Sequence, residues 1–234
     1  MQRKSRALTD LLLSIVIPSI ILINFSSVER LGPQFALVVA LAFPVGLCLY
    51  ELLRYRAANY IALLGLVSVL LTGGIGLLQL DPQWLAVKEA AIPAVLGVAV
   101  LLSAQLGYPL VKTLLYNPAV LDTGRISRML RERGRAEAFH ARLLTANTLL
   151  GATFFFSAAM NYLLTTWIVT SPAGSAAFNQ ELGRLALLSY PLIVLPCMAM
   201  MLAIMFLLWR SIQNCTGLKL EQALAPSLVT DKNR

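Results

Sequence analysis

Charged residues, histidine and cysteine are all scarce in this chain. Asp, Glu, Lys and Arg make up 13% of its 234 residues, and it has one histidine and three cysteines. Three cysteines without paired spacing favour neither a disulfide framework nor a zinc site. His140 has no nucleophile or metal-ligating partner at suitable spacing, and no glycine-rich phosphate loop occurs. The sequence therefore predicts a protein that is not an enzyme and that holds neither a metal nor a cofactor.

Uncharged stretches are what the chain has in abundance. Six of them contain 18 to 38 residues each, at 11–28, 31–50, 57–80, 90–111, 143–180 and 185–209. A bilayer core about 30 Å thick is crossed by roughly 20 apolar helical residues. Strands of a membrane barrel alternate in polarity at every second residue, which Ile61–Val67 does not do. Helices are therefore the predicted spanning elements.

The predicted fold class is all-α. It is a polytopic membrane helix bundle of six transmembrane helices, with a short cytoplasmic amphipathic helix between the fourth and fifth. The spans are expected at about 8–28, 33–53, 58–80, 84–111, 143–170 and 185–210. Residues 1–216 form one transmembrane domain, with a basic loop at 112–142, an outer loop at Ser171–Arg184 and a cytoplasmic tail at 217–234. Kinks or breaks are expected at the prolines inside the spans, Pro18, Pro44, Pro93, Pro191 and Pro196.

The positive charges fall on one side of this pattern. Of the 19 Lys and Arg residues, all but Arg30, Lys88 and Arg184 lie in the two termini, the loop after the second span or the loop after the fourth. Cytoplasmic loops carry such an excess, so both termini are predicted to be cytoplasmic in a multi-pass protein of the bacterial inner membrane. Positive charge that flanks membrane spans indicates the lipid bilayer as partner, and not nucleic acid.

The first span has a second interpretation. Basic residues before the short apolar core Leu11–Ile23 are also typical of a cleaved signal peptide. The following segment, Asn24-Phe25-Ser26-Ser27, is a poor match to a cleavage site. We therefore expect an uncleaved membrane anchor.

The basic loop is predicted to contain the short amphipathic helix. Ile126, Met129 and Leu130 follow helical spacing, Asp122 or Thr123 can cap the helix, and Gly134 can end it. The arginines around the other faces are Arg125, Arg128, Arg131 and Arg135. A basic helix beside a span commonly lies flat among lipid headgroups, so headgroup contact is their predicted role. A docking surface for a cytoplasmic protein is the alternative.

Polar residues within or near the spans are the best functional candidates, because burying them in a membrane costs free energy. The candidates for a functional or binding role are Asp81, Trp84, Lys88, Glu89 and Asn161. Asp81 is placed as the N-cap of the fourth helix. Lys88 is expected to reach outward past Trp84 or to pair with Asp81, Glu29 or Glu181. An ion pair that fixes helix packing is favoured over a substrate site.

Small residues form a stripe on the third span. Ser68, Thr72 and Gly76 recur at every fourth position, with Gly73 and Gly74 between them. Such a stripe lets another helix approach closely. That helix belongs either to the same chain or to a second copy in a homodimer.

A series of short segments resembles one known family. The block Gly73–Lys88 runs from a double glycine through an apolar stretch to an acidic residue, an aromatic residue and a lysine. The other segments are Arg54-Tyr55-Arg56, Tyr108-Pro109-Leu110-Val111-Lys112, and Asn161-Tyr162 followed by Trp167. In this order, over roughly Leu31 to Trp167, they resemble the bacterial intracellular septation protein A family, of which the chain looks like a divergent, longer branch. The Arg-rich loop and the Ser171–Arg184 loop depart from the family pattern.

The resemblance implies a non-enzymatic inner-membrane protein of cell-envelope maintenance or septation that acts through envelope or division proteins. The alternative is a small-solute or ion transporter that works as a homodimer, with Lys88 and Glu89 at the substrate path. A lipid-processing enzyme is a third and weaker interpretation.

Overall fold

The computed structural model describes residues 12–55, 60–114, 121–218 and Ala223. This part of the chain is helical and contains no β-strand, which confirms the predicted all-α class. Its α-helices are α1 Ile17–Phe25, α2 Pro33–Tyr55, α3 Tyr60–Leu77, α4 Gln83–Gln105, α5 Leu110–Leu114, α6 Thr123–Glu132, α7 Ala136–Ile168, α8 Ala176–Ser189 and α9 Leu195–Thr216.

Some predicted features lie outside the described residues. These are the first residues of the first span, the basic residues before it, Arg56 in the loop after the second span, and the tail apart from residues 217, 218 and 223.

Four segments are long and apolar enough to cross a membrane. They are Pro33–Tyr50, Gln83–Gln105, Ala136–Ile168 and Ala176–Thr216. Two further apolar helical segments, Ser14–Phe25 and Leu63–Leu77, are shorter. They coincide with the first and third of the six predicted spans, so the count of six stays a prediction.

Prolines affect the helices unequally. A π-helical turn at Leu12–Val16 directly precedes α1, whose second residue is Pro18, and another at Tyr190–Val194 contains Pro191. A proline removes one backbone donor and crowds the preceding turn, and a wider turn relieves that crowding. In contrast, α2 and α4 continue without interruption through Pro44 and Pro93.

The segment expected to be an outer loop is largely helical, so that prediction was wrong. Helix α8 begins at Ala176, where the Ser175 hydroxyl accepts a hydrogen bond from the Phe178 backbone N–H at 3.0 Å. A serine in this position satisfies one of the free N–H groups at a helix start. Helix α7 likewise begins at Ala136, inside the predicted basic loop.

The described residues form two compact units. The first contains residues up to 92 together with 158–195. In it, α2 packs against α1, α3 and α8, and α1 packs against α8. The buried Asn179 on α8 donates to the Ser26 hydroxyl at 3.1 Å and to the Pro33 carbonyl at 2.6 Å. Its amide thus joins α8 to the turn between α1 and α2.

The second unit contains residues 93–157 and the described residues from 196 onward. Its hydrophobic core is formed mainly by Val100, Val111, Ile126, Leu130, Phe139, Leu143, Leu150, Ile204, Leu208 and Ile212. The fully buried Asn147 lies beside this core and donates to the Val100 carbonyl at 2.6 Å. Its Oδ1 accepts from the Val111 backbone N–H at 3.1 Å. One side chain therefore satisfies backbone groups on both sides of the turn between α4 and α5.

Candidate functional site

Lys88 lies on the first half of α4 and reaches across to α3. Its ammonium Nζ donates to the Thr72 hydroxyl at 2.7 Å, to the Ser68 hydroxyl at 3.2 Å and to the Ser68 carbonyl at 3.3 Å. The adjacent Glu89 accepts from the same ammonium through Oε1 at 2.7 Å. Ser68 and Thr72, which were expected to allow close packing, therefore serve as hydrogen-bond acceptors. We call Lys88, Glu89, Ser68 and Thr72 the Lys88 cluster.

The Lys88 cluster is largely shielded from solvent. The Lys88 side chain is 9% exposed and that of Glu89 is 33% exposed. A lysine ammonium has three donors, and this one has a carboxylate and two side-chain hydroxyls within reach. The Thr72 hydroxyl also donates to the Ser68 carbonyl at 3.1 Å. The cluster thus compensates a charge within a predicted span and ties α4 to α3.

Two of the three carboxylates expected to pair with Lys88 are occupied elsewhere, and Glu29 forms no ion pair with it among the described residues. Asp81 caps α4, accepting from the Gln83 backbone N–H at 2.8 Å, as the sequence predicts for a helix start. Glu181 accepts four hydrogen bonds of 2.7–3.3 Å from the backbone and hydroxyl groups of Thr170 and Ser171. The predicted pairing of Lys88 with either residue was wrong.

An open apolar groove of about 400 Å³ runs beside the Lys88 cluster, between α3 and the start of α4. We call it the α3–α4 groove. Apart from Ser68 and Lys88, its lining is apolar and consists of Leu64, Val67, Leu71, Ile75, Leu80, Trp84, Val87, Ala91 and Ile92. Trp84 is 62% exposed, so its indole is available to a neighbouring molecule.

The glycines of α3 divide between two roles. An added Cβ at Gly73 would lie 2.8 Å from Leu41 of α2, and one at Gly76 would lie 2.5 Å from Leu37 of α2. These two positions allow the close approach that the small-residue stripe predicts, and the partner helix belongs to the same chain. Gly74 has no atom within 4 Å of such a Cβ and stays open.

The other two candidates do not line the α3–α4 groove. Asp81 lines a separate cavity of about 340 Å³ with Gln83, Thr166 and Thr170. Asn161 is half-buried on α7. The structure therefore brings together Trp84, Lys88 and Glu89, with Ser68 and Thr72, and places Asp81 at a different cavity.

The predicted headgroup arginines are exposed. Helix α6 is capped by Asp122, whose Oδ1 accepts from the Arg125 backbone N–H at 2.9 Å, and the chain after it turns through Gly134 at a φ of +62°. Its apolar residues Ile126 and Leu130 are buried in the core of the second unit. Contact of Arg125, Arg128, Arg131 and Arg135 with lipid stays a prediction.

Two buried polar residues were missed by the sequence analysis: Asn147 and Asn179. Asn147 interrupts an apolar stretch, and an amide in such a stretch signals a hydrogen bond between segments. Asn179, and the role of Glu181 within its own segment, were hidden by the assignment of Ser171–Arg184 to a loop. The Ser175 cap was the available signal that this segment is helical.

No group of three or more His, Cys, Asp or Glu side chains that could hold a metal ion occurs among the described residues. Comparison with protein-family models, curated proteins and solved structures finds no match to this chain. The resemblance to the septation protein A family therefore stays a prediction from sequence.

Proposed function

We propose that this chain is a non-enzymatic integral protein of the bacterial inner membrane that binds other envelope proteins through the α3–α4 groove. Six spans and cytoplasmic termini are the topology that fits its charge distribution. Helix α6 and the start of α7 then lie on the cytoplasmic side. The arginines there that contact lipid headgroups are Arg125, Arg128, Arg131 and Arg135. Four segments long and apolar enough to cross a membrane support the membrane assignment.

One observation carries the proposed role: the ammonium of Lys88 is occupied by groups of its own chain, beside an open apolar groove. A lysine that served a substrate would need free donors, whereas this one stabilises the wall of the groove. An exposed indole on that wall is a suitable anchor, because Trp supplies much of the binding energy at many protein interfaces. An apolar helix of a membrane partner is the occupant that matches a groove with this lining.

The assignment to cell-envelope maintenance or septation rests on the ordered segments between Leu31 and Trp167. Five residues of the Gly73–Lys88 block line the α3–α4 groove: Ile75, Leu80, Trp84, Val87 and Lys88. The longest of the segments that carry the resemblance thus also forms part of the proposed binding face.

The test compares two exposed tryptophans. Tagged protein is cross-linked in living cells and its neighbours are identified by mass spectrometry, for the wild type, Trp84→Ala and Trp167→Ala. Trp167 is 73% exposed and lies outside the groove, so it controls for the loss of an indole. We expect division or wall-synthesis proteins with the wild type and Trp167→Ala, and their loss with Trp84→Ala. Recovery of only the protein itself contradicts the proposal.

The transporter remains the second candidate because Lys88, which lines the groove, forms an ion pair with Glu89 within a predicted span. Ionisable residues in spans often mark ion or substrate pathways. Purified protein in liposomes should then show solute flux that Lys88→Ala abolishes while the fold is retained. Absence of flux for the wild type, together with partners in cells, favours the binding role.

A further inference from the structure

A cavity in the second unit gathers three arginines. It has a volume of about 630 Å³ and lies between the start of α7 and the end of α9. Arg135 and Arg142 line one wall and Arg210 the other, with Ser211 and Asn214 beside them. Sequence analysis placed only Arg135 among the functional residues. We call this space the arginine cavity.

Among the described residues, the arginine cavity has no negative counterpart. None of their acidic side chains lines it, although Glu132 and Glu137 are near in sequence. Lys88–Glu89 is the only ion pair in this part of the chain, so no described carboxylate pairs with the three guanidinium groups. Guanidinium groups bind phosphate in a bidentate manner, and a bound anion would remove their mutual repulsion.

An apolar groove lies next to the arginine cavity. This second groove, of about 320 Å³, is lined by Leu149, Ala152 and Thr153 of α7 and by Met200, Ala203 and Ile204 of α9. We call this second groove the α7–α9 groove. Leu207 lines both it and the arginine cavity, so the two are neighbours. A charged compartment beside an apolar one matches an amphiphile, with its head among the arginines and its tail between the helices.

The distance from the arginines to the far end of the α7–α9 groove fits one leaflet. Arg142 and Ala152 are ten residues apart on α7, and Arg210 and Met200 are ten residues apart on α9. Ten helical residues span about 15 Å. This is about half of a hydrocarbon core roughly 30 Å thick. Both arginines stand at the predicted cytoplasmic ends of their spans, where anionic lipids are enriched.

We propose that the arginine cavity and the α7–α9 groove form a binding site for one anionic phospholipid. Arg135, Arg142 and Arg210 hold the phosphate, the Asn214 amide donates an additional hydrogen bond, and one acyl chain lies along the groove. The site is in the second unit and does not depend on the partner role of the α3–α4 groove.

The test titrates the delipidated full-length protein in detergent with phosphatidylglycerol and counts bound lipid by native mass spectrometry. We expect one tightly bound lipid. The double variant Arg142→Gln/Arg210→Gln should bind it at least about tenfold more weakly, since two charged contacts to phosphate are lost. The matched control Lys112→Gln/Arg133→Gln removes the same charge at two exposed residues outside the cavity and should stay within about threefold of the wild type. Equal weakening by both pairs overturns the site, because it indicates diffuse attraction.

Two further arms separate a lipid from a free anion. Ala203→Phe fills the α7–α9 groove and should weaken phosphatidylglycerol binding, while Ala199→Phe on the same helix, outside the groove, should not. Inorganic phosphate in excess should fail to displace the lipid. Displacement by inorganic phosphate together with an unaffected Ala203→Phe variant identifies a small-anion site and overturns the proposal. The variant Arg142→Lys/Arg210→Lys keeps the charge and should bind more lipid than Arg142→Gln/Arg210→Gln. This comparison separates the loss of charged contacts from misfolding.

Discussion

At the scale of single residues, the Lys88 cluster shows how a lysine can be held within a pair of apolar helices. A charge at the centre of a membrane is costly, and side chains that pair or hydrogen-bond reduce that cost. Lys88 uses both means, with Glu89 on its own helix and the hydroxyls of Ser68 and Thr72 on α3. The ion pair between sequence neighbours and the hydroxyl acceptors together fix the position of the side chain.

Replacement of Lys88 alone should destabilise the protein more than replacement of both partners. Lys88→Met leaves the partly buried Glu89 without its cation, and breaking a buried pair typically costs about 3–5 kcal/mol. Because Glu89 is one third exposed, we expect a value at or below the low end of that range. Lys88→Met/Glu89→Gln removes both charges and should recover most of the loss. Unfolding in detergent measures this, and equal destabilisation by both variants contradicts the stabilising role of the Lys88–Glu89 ion pair.

The Glu181 carboxylate gives a second prediction at this scale. Its four hydrogen bonds come from Thr170 and Ser171, and two of the donors are backbone N–H groups. In Glu181→Gln the amide NH₂ opposes some of these donors, so we expect a loss of about 1.5–3 kcal/mol, the usual value of a hydrogen bond to a charged group. Arg184→Gln, an exposed charge on the same helix, serves as control. A similar unfolding midpoint for both variants argues against this role of Glu181.

At the scale of elements, sequence predicted the helices well and their partners poorly. Apolar stretches and caps such as Asp81 and Asp122 depend on local chemistry, which is visible in sequence. The contacts of Lys88 and Asn147 depend on which helix faces which, and spacing alone does not specify that. The small-residue stripe illustrates the limit, because Gly73 and Gly76 meet α2 while Ser68 and Thr72 meet Lys88 of α4.

The glycines of α3 allow a matched test of this packing. Gly76→Ala places a methyl group against Leu37 and Phe178, which are both buried, and overpacking of this kind costs about 1–3 kcal/mol. Gly74→Ala meets no atom within 4 Å and should be neutral, or stabilising by up to about 1 kcal/mol through helix propensity. Thermal unfolding of the two variants compares them directly. A Gly74→Ala variant less stable than Gly76→Ala would show that α3 packs differently.

At the scale of the whole molecule, charge asymmetry and helix length bear on different properties: the side of each loop and the number of membrane crossings. Charge asymmetry predicts the side of the membrane for each loop, and it requires an even number of spans. Length and hydropathy identify four long segments and two shorter ones, Ser14–Phe25 and Leu63–Leu77. The two shorter helices decide between four and six crossings, because a tilted or locally thinned bilayer can accommodate a short span.

The six-span topology predicts the sidedness of the turn after α1. A cysteine introduced at the exposed Val28, in a variant without native cysteines, should react with a membrane-impermeant maleimide in intact spheroplasts. A cysteine at the exposed His140 should react only after permeabilisation. Labelling of the Val28→Cys variant only after permeabilisation means that the first apolar segment does not cross the membrane.

The most direct test of the partner role is site-specific photocross-linking in living cells, at two matched valines of α4. Val87 lines the α3–α4 groove and is 48% exposed, whereas Val98 lies outside the groove and is 46% exposed. With a photoreactive residue in place of each, we predict discrete adducts to envelope or division proteins at position 87 and none of them at position 98. Identical adducts at both positions, or adducts to lipid alone at position 87, would contradict the account.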